Sequence, residues 1–233
     1  MNEIKNEEID CTITSPPYGR LKKYGTENEN IGNFSGDLQV EMLSKVFKEV
    51  YRTTKDGGFC CINIGEYIDK FGMFLYPFQA KLTLSMIDTG WKYFRNIIWN
   101  KKNNTAQIIG DTKTNNHYFL GTEPILIFRK FINYNKNTKG ANVEQELRLN
   151  VWDIAPYIKK EDEHIAIYPK ELVRRLMILY SKEKDFILDP FLGSGTTLEV
   201  AKELNRNGYG YEIVEKYYDL AKNKLNEEQK RLI

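Results

Sequence analysis

The sequence has few of the residues that build metal centres or disulfide frameworks. Its 233 residues include three cysteines and only two histidines. None of the cysteines has the spacing of a zinc site, and Cys60 and Cys61 are neighbours in an apparent strand. We therefore expect no metal. We also expect buried, reduced thiols, with the side chains at 60 and 61 on opposite faces of that strand.

Long apolar runs and a strong net charge are also missing. No apolar stretch is long enough to span a membrane, and the first residues contain no signal-peptide hydrophobic segment. These absences predict an intracellular, cytoplasmic protein that does not associate with membranes. The formal net charge of +2 does not by itself indicate a nucleic-acid partner.

The length and composition fit one α/β domain, which we expect to span residues 1–233. Predicted strands alternate with predicted helices along most of the chain. Strands are predicted at 9–14, 59–64, 93–99, 119–128, 186–189 and 209–212, and helices at about 37–54, 74–88, 169–180, 194–204 and 214–228. This alternation predicts a largely parallel, doubly wound sheet, which binds ligands at the carboxyl ends of its strands. The segments 15–18 and 189–197 each follow a strand and should share that edge.

Two polar stretches interrupt the alternation. Residues 100–117 are predicted to form a loop, and residues 130–163 are irregular apart from a short apolar segment at 151–154. Both contain lysine or arginine among Asn, Thr and Tyr, a mixture suited to phosphate and base-edge contacts and equally found in solvated loops.

A glycine loop runs from Asp189 to Thr197 with the sequence DPFLGSGTT, between a strand and a helix. Threonines stand where a phosphate-binding P-loop needs lysine, and Leu198 stands where a dinucleotide fingerprint needs a third glycine. The helix N-terminus can take a carboxylate, and Glu212 at the next strand end can accept both hydroxyls of a ribose. An amino-acid carboxylate together with a ribose describes S-adenosylmethionine.

The segment Ser15-Pro16-Pro17-Tyr18 suits a reaction at an exocyclic amine, whose lone pair is delocalised into the base. The Ser15 hydroxyl and the Pro16 carbonyl can accept its two N–H bonds and stabilise the charge that develops on nitrogen. Tyr18 can stack on a base turned out of the duplex. The alternative is an ordinary turn between a strand and a helix.

The two motifs, TSPPY near the start and DPFLGSGTT near the end, resemble those of the permuted β class of N4-cytosine and N6-adenine DNA methyltransferases. The resemblance covers nearly the whole chain. It implies a Rossmann-like S-adenosylmethionine-dependent methyltransferase fold, with a seven-stranded mixed sheet and one reversed edge strand. It also implies double-stranded DNA as the substrate, often within restriction–modification systems.

The resemblance assigns roles residue by residue. The catalytic residues would be Ser15, Pro16, Pro17 and Tyr18. The cofactor-binding residues would be Asp189, Pro190, Phe191, Gly193, Ser194, Gly195, Thr196, Thr197 and Glu212, with Tyr168 and Pro169 from a segment similar to one that closes over the cofactor. Serine at position 15 favours cytosine N4, because the adenine enzymes mostly carry Asp or Asn there. An adenine N6 enzyme, and less readily an RNA base methyltransferase, are the alternatives.

The chain departs from the family pattern at its start and in its recognition region. Only eight residues precede Ile9, where the family usually has a further segment and a helix. Residues 101–118 and 130–163 are the candidate DNA-recognition loops, with Lys101, Lys102, Lys136 and Lys139 as candidate DNA contacts. So short a recognition region predicts a second subunit, either a copy of the chain or a specificity subunit. Trp152 and Tyr157 would line that interface or, equally, lie in the chain's own core.

Overall fold

The computed structural model describes residues 1–17, 30–68, 75–102, 107–111, 116–131, 145–156 and 168–231. These residues form eleven strands and five α-helices. The strands are β1 (Ile9–Thr14), β2 (Thr54–Asn63), β3 (Tyr67–Ile68), β4 (Leu75–Tyr76), β5 (Lys92–Asn100), β6 (Gln107–Asp111), β7 (Asn116–Leu120), β8 (Thr122–Arg129), β9 (Val151–Asp153), β10 (Phe186–Asp189) and β11 (Asn207–Gly210). The helices are α1 (Gly36–Thr53), α2 (Phe78–Thr89), α3 (Lys170–Tyr180), α4 (Thr196–Glu203) and α5 (Glu215–Arg231).

Seven of the strands form one mixed sheet in the order β11-β10-β1-β2-β8-β5-β9. β8 runs antiparallel to both of its neighbours, and the other pairings in this sheet are parallel. The seven-stranded mixed sheet is therefore confirmed, but the reversed strand is interior and not at an edge. β8 follows the β6–β7 hairpin and inserts between β2 and β5, which leaves β11 and β9 at the edges.

Apolar side chains alternate between the two faces of this sheet. On α1, Leu43, Phe47 and Val50 recur at helical spacing, and all three are fully buried against one face. Cys60 lies in the core on that face, whereas Cys61 lies in the core on the other face. The predicted opposite orientation of the two thiols is confirmed, and burial raises the pKa of both.

Helix boundaries follow local backbone chemistry. Gly90 ends α2 with φ of 114°, in the left-handed region that glycine favours. The same helix begins at Phe78 after Pro77, so the expected start at about 74 was wrong. Proline fits at a helix start, but its missing N–H and its ring oppose a position inside the helix. Leu75 and Tyr76 instead form β4.

The stretch predicted as a loop at 100–117 was only partly so. β6 and β7 pair antiparallel, from Gln107 opposite Leu120 to Asp111 opposite Asn116. The β-branched and aromatic residues of QII and HYF favour extended backbone, and the polar residues around them concealed this preference. β6 and β7 therefore form a two-stranded ribbon that begins within the predicted loop and ends within the strand predicted at 119–128.

Trp152 lies in β9 and is 1% exposed, packed within the core. Burial in the chain's own core, one of the two alternatives for this residue, is therefore confirmed, and Trp152 is excluded from an intersubunit surface. Tyr157 lies outside the described residues. None of the helices in the described part of the chain is long and apolar enough to cross a membrane.

Candidate active site

The two sequence motifs begin side by side at one edge of the sheet. β1 pairs parallel with β10, with Cys11 opposite Ile187 and Thr12 opposite Leu188. The carboxyl ends of both strands therefore lie at the same side of the sheet, where β1 leads into Ser15 and β10 leads into Pro190. The expectation that segments 15–18 and 189–197 share an edge is confirmed for their described residues, 15–17 and 189–197.

Asp189 connects the two motifs beneath this edge. Its carboxylate is fully buried and accepts hydrogen bonds of 2.6 Å from the hydroxyls of Thr14 and Thr197. The Phe191 N–H donates at 3.1 Å and the Tyr168 hydroxyl at 3.3 Å. Burial raises the pKa of Asp189, and these hydrogen bonds oppose that rise. Four protein donors surround the carboxylate, so Asp189 is placed to hold the glycine loop from below.

Tyr168 and Thr197 belong to the same buried network. The Tyr168 hydroxyl contacts that of Thr197 as well as Asp189. Pro169 is the residue that precedes α3 and has extended backbone, with ψ of 139°. Tyr168 and Pro169 thus lie where a third segment reaches the glycine loop. The neighbouring residues 157–167 lie outside the described part of the chain.

The glycine loop turns through two residues with positive φ, Gly193 at 54° and Gly195 at 87°. A Cβ at Gly195 would lie 2.9 Å from the Cβ of Ala221, so α5 packs directly against the loop. At Gly193 an added Cβ would meet nothing nearer than an oxygen 4.0 Å away, that of Phe191. The loop therefore has no room for a ligand on the side of α5, but it has free space at Gly193. Next to this space α4 starts at Thr196, and the first N–H groups of a helix have no intrahelical partners. Ser194 and Thr196 are buried within the turn.

Glu212 follows β11 by two residues, and the protein backbone holds its carboxylate. Its Oε2 accepts from the Gly193 N–H at 2.8 Å and its Oε1 from the Val214 N–H at 2.9 Å. Burial raises the pKa of Glu212, and these two hydrogen bonds oppose the rise. Each oxygen retains acceptor capacity, so a pair of ligand hydroxyls can be bound at a carboxylate whose direction is already fixed.

The Ser-Pro-Pro segment lies against the body of the protein. Ser15 is half-buried, whereas Pro16 and Pro17 are buried. The Pro17 carbonyl accepts a 2.7 Å hydrogen bond from Nε2 of Gln39, a fully buried residue of α1. Sequence reasoning missed Gln39, although a signal was present: glutamine stands four residues before Leu43 on the apolar face of a predicted helix. Tyr18 lies outside the described residues.

The candidate DNA contacts differ in environment. The Lys101 side chain is 14% exposed, and its Nζ lies 2.5 Å from Oε1 of Glu123. The Lys102 side chain is 56% exposed and pairs with Asp153 at 3.3 Å. Lys101 thus forms a mostly buried ion pair, whereas the ion pair of Lys102 is exposed to solvent. Lys136 and Lys139 lie outside the described residues.

Acidic, thiol and imidazole groups do not assemble into a metal site within the ranges given above. In that part of the chain, no group of three or more such side chains could hold a metal ion. The polar network at the sheet edge consists instead of hydroxyls, two carboxylates and backbone N–H groups.

Comparisons with known proteins identify a family. The family model described as DNA methylase, which covers N6 and N4 enzymes, matches residues 9–223. The type II methyltransferase M.MthZI of Methanothermobacter thermautotrophicus is 32% identical over 97% of the chain and 74% of its own length. M.MjaI of Methanocaldococcus jannaschii is 30% identical over 100% of the chain and 90% of its own length.

Solved structures share the fold. A Thermus thermophilus protein assigned as a DNA modification methylase, solved in complex with S-adenosyl-L-methionine, has a TM-score of 0.72 and 28% identity, covering 97% of this chain and 90% of its own. The cytosine-N4-specific PvuII DNA methyltransferase has a TM-score of 0.79 at 19% identity, covering 96% and 81%. The family match and the two relatives together establish that the chain belongs to the N6/N4 DNA methylase family.

Proposed function

We propose that this protein transfers a methyl group from S-adenosyl-L-methionine to the exocyclic amine of a flipped base in double-stranded DNA, and that the base is cytosine, methylated at N4. The observation that carries the proposal is the hydrogen bond from Thr14 to Asp189, which joins the residue just before the Ser-Pro-Pro segment to the start of the glycine loop. A base held at the first segment would lie beside a cofactor held at the second.

The cofactor is S-adenosyl-L-methionine, and the residues at the sheet edge fit its polar groups. Glu212 would accept the ribose hydroxyls, and the open turn at Gly193 with the start of α4 would take the amino-acid carboxylate. Asp189, Thr197 and Tyr168 hold that turn in place. When bound, the cofactor supplies an electrophilic methyl group.

The chain's own contribution to transfer lies in the acceptors of the Ser-Pro-Pro segment. The Ser15 hydroxyl and Pro16 carbonyl would each accept an N–H of the amine and stabilise the positive charge that develops there. Because these hydrogen bonds strengthen in the transition state, replacing Ser15 should affect the rate more than affinity.

Single-turnover kinetics test this role. Ser15→Ala should slow methyl transfer by about 10²–10³-fold, while its cofactor dissociation constant stays near the wild-type value. Full single-turnover rate in this variant would remove Ser15 from the mechanism. Activity should persist in EDTA, since the proposed acceptors do not depend on a metal.

The identity of the base rests on Ser15, because serine here favours cytosine over adenine in enzymes with this motif. Methylated DNA should be digested to nucleosides and the modified nucleoside identified by mass spectrometry. N4-methylcytosine is the expected product. N6-methyladenine would reassign the base, and methylation of RNA in preference to DNA would reassign the substrate.

DNA recognition is proposed to involve residues 101–118 and 130–163. Most of the ribbon formed by β6 and β7 lies in the first of these ranges, with β7 ending at Leu120, and a two-stranded ribbon has dimensions that fit a major groove. The Lys136→Ala and Lys139→Ala double variant should bind DNA more weakly and with a shallower salt dependence. Unchanged affinity and slope would locate the interface elsewhere.

A second subunit is proposed because the recognition ranges 101–118 and 130–163 are short, so they offer few residues to read bases. A twofold dimer would double the contact surface and match a palindromic site. Light scattering with and without DNA should detect it. A monomer in both conditions that methylates a defined site at full rate would show that one chain is sufficient.

A further inference from the structure

Gln39 is a polar side chain on the buried face of α1. It is 0% exposed and stands one helical turn before Leu43, in the same row as the core residues of that helix. Buried amides in proteins are normally satisfied by hydrogen bonds. Here Nε2 donates to the Pro17 carbonyl at 2.7 Å, while Oε1 has no partner among the described residues.

The direction of this amide is fixed by its partner. A flipped amide would place Oε1 against the Pro17 carbonyl, so that two acceptors would face each other. The arrangement leaves one polar atom of Gln39 unsatisfied, which is unfavourable for folding. An apolar side chain would avoid that cost but would leave the carbonyl of the buried Pro17 without this donor, so the hydrogen bond to Pro17 is what accounts for glutamine at this position.

The Ser-Pro-Pro segment has one backbone angle that its prolines leave unrestrained. Ser15 and Pro16 both precede a proline, which confines them to extended conformations. The ring of Pro17 fixes its φ but not its ψ. Since Pro17 is followed by tyrosine and not by a third proline, its ψ has no such restraint. The hydrogen bond from Gln39 acts on the carbonyl that this angle orients.

We propose that Gln39 is a positioning residue for methyl transfer, which fixes the Pro17 carbonyl and thereby the direction in which the chain leaves the catalytic segment. This proposal rests on the function proposed above. Gln39 acts through Pro17 and needs no contact with the base or the cofactor.

Two substitutions test it in the full chain. Gln39→Met keeps the length and shape but removes the donor, and should slow single-turnover methylation by about 10- to 100-fold with little change in cofactor affinity. Gln39→Glu introduces a buried carboxyl that can donate to Pro17 only when protonated. Its rate, relative to wild type, should therefore rise as pH falls, whereas Gln39→Met should remain slow at every pH.

Leu43→Met is the matched control, a volume-conserving change one turn along the same buried face, and should retain the wild-type rate. Thermal unfolding and cofactor titration establish that each variant is folded. A wild-type rate in Gln39→Met, or a pH profile of Gln39→Glu parallel to wild type, would overturn the proposal.

The hydrogen bond can also be tested without methylation. In ¹⁵N NMR of the wild-type protein, the side-chain amide protons of Gln39 should exchange slowly with solvent. Rapid exchange would overturn the proposal whatever the activity. A wild-type protein with slow exchange that methylates no DNA would instead contradict the proposed function and leave the positioning contact established.

Discussion

The hydroxyl of Thr14 donates a 2.6 Å hydrogen bond to Oδ1 of Asp189, although the two residues are 175 positions apart in sequence. Thr14 is the last residue of β1 and Asp189 the last residue of β10, and both are buried. Asp189 in turn is bonded to Thr197 at the start of α4. If one motif moves relative to the other, the buried hydrogen bond between Thr14 and the Asp189 carboxylate must break.

Thr14→Val should lower the free energy of unfolding by about 1.5–3 kcal/mol, the range for a hydrogen bond to a charged group. Valine has nearly the same shape as threonine but leaves one oxygen of the Asp189 carboxylate without this donor. Urea denaturation of the two proteins measures the difference. Cofactor affinity should also fall, because Asp189 holds the glycine loop.

Thr12→Val supplies the matched control for this experiment. Thr12 lies on the same strand and is equally buried, but its hydroxyl has no hydrogen-bond partner in the described part of the chain. Replacing an unsatisfied buried hydroxyl by a methyl group should leave stability unchanged or raise it. Equal losses in the two variants would show that the bond to Asp189 contributes nothing specific.

Much of this site could be predicted because its signals are local. The apolar periodicity of α1 and the glycine loop before α4 each lie within one stretch of sequence. Because β1 and β10 are parallel, the segments that follow them must lie on the same side of the sheet. The contact between Thr14 and Asp189 could not be predicted, since either hydroxyl of a Thr-Ser pair could have met the loop.

Features that depend on long-range pairing were wrong or missed. The reversed strand β8 was expected at an edge, but it lies between β2 and β5, and strand order is set by contacts between distant segments. Lys101 stays a predicted DNA contact, but its ion-pair partner Glu123, which lies 22 residues away across the β5–β8 pair, was missed. Local sequence carries little information on either point.

Glu212→Gln should weaken binding of S-adenosyl-L-methionine by about 1–3 kcal/mol, the scale of a lost charge-assisted hydrogen-bond site. The new amide nitrogen would also face one of the two backbone N–H groups that hold the carboxylate. Calorimetry at neutral pH measures the loss. Glu215→Gln, an exposed change three residues away, should bind as tightly as wild type.

The affinity of the wild type should also depend on pH in a defined direction. The pKa of Glu212 is raised, so its carboxyl takes up a proton at a higher pH than a free glutamate does. The ionised form is the one that accepts two hydroxyls. Affinity should therefore be full above the raised pKa and fall as pH decreases through it, while the Glu212→Gln profile lacks this step. Parallel profiles would remove Glu212 from the ribose site.

Gly195→Ala should destabilise the fold by about 1–2 kcal/mol or more through backbone strain alone. Its φ of 87° is unfavourable for alanine, and the new Cβ would lie 2.9 Å from that of Ala221. Gly121→Ala is the control, because Gly121 has no positive φ and nothing within 4 Å of an added Cβ. Urea denaturation should separate the two variants clearly, and equal stability would contradict the close packing of α5 on the loop.

Lys101 and Lys102 are neighbours whose replacement should have different effects. Lys101→Ala removes the ion pair to the mostly buried Glu123 and should cost about 1–3 kcal/mol of stability. Lys102→Ala removes an exposed side chain and should change stability by less than about 0.5 kcal/mol.

The two lysines should also differ in DNA binding. If Lys102 contacts a phosphate, its loss should reduce the slope of log affinity against log salt by about 1. Denaturation combined with DNA titrations at several salt concentrations measures both effects. A salt slope that changes for Lys101→Ala but not for Lys102→Ala would show that the ion pair with Glu123 opens when DNA binds.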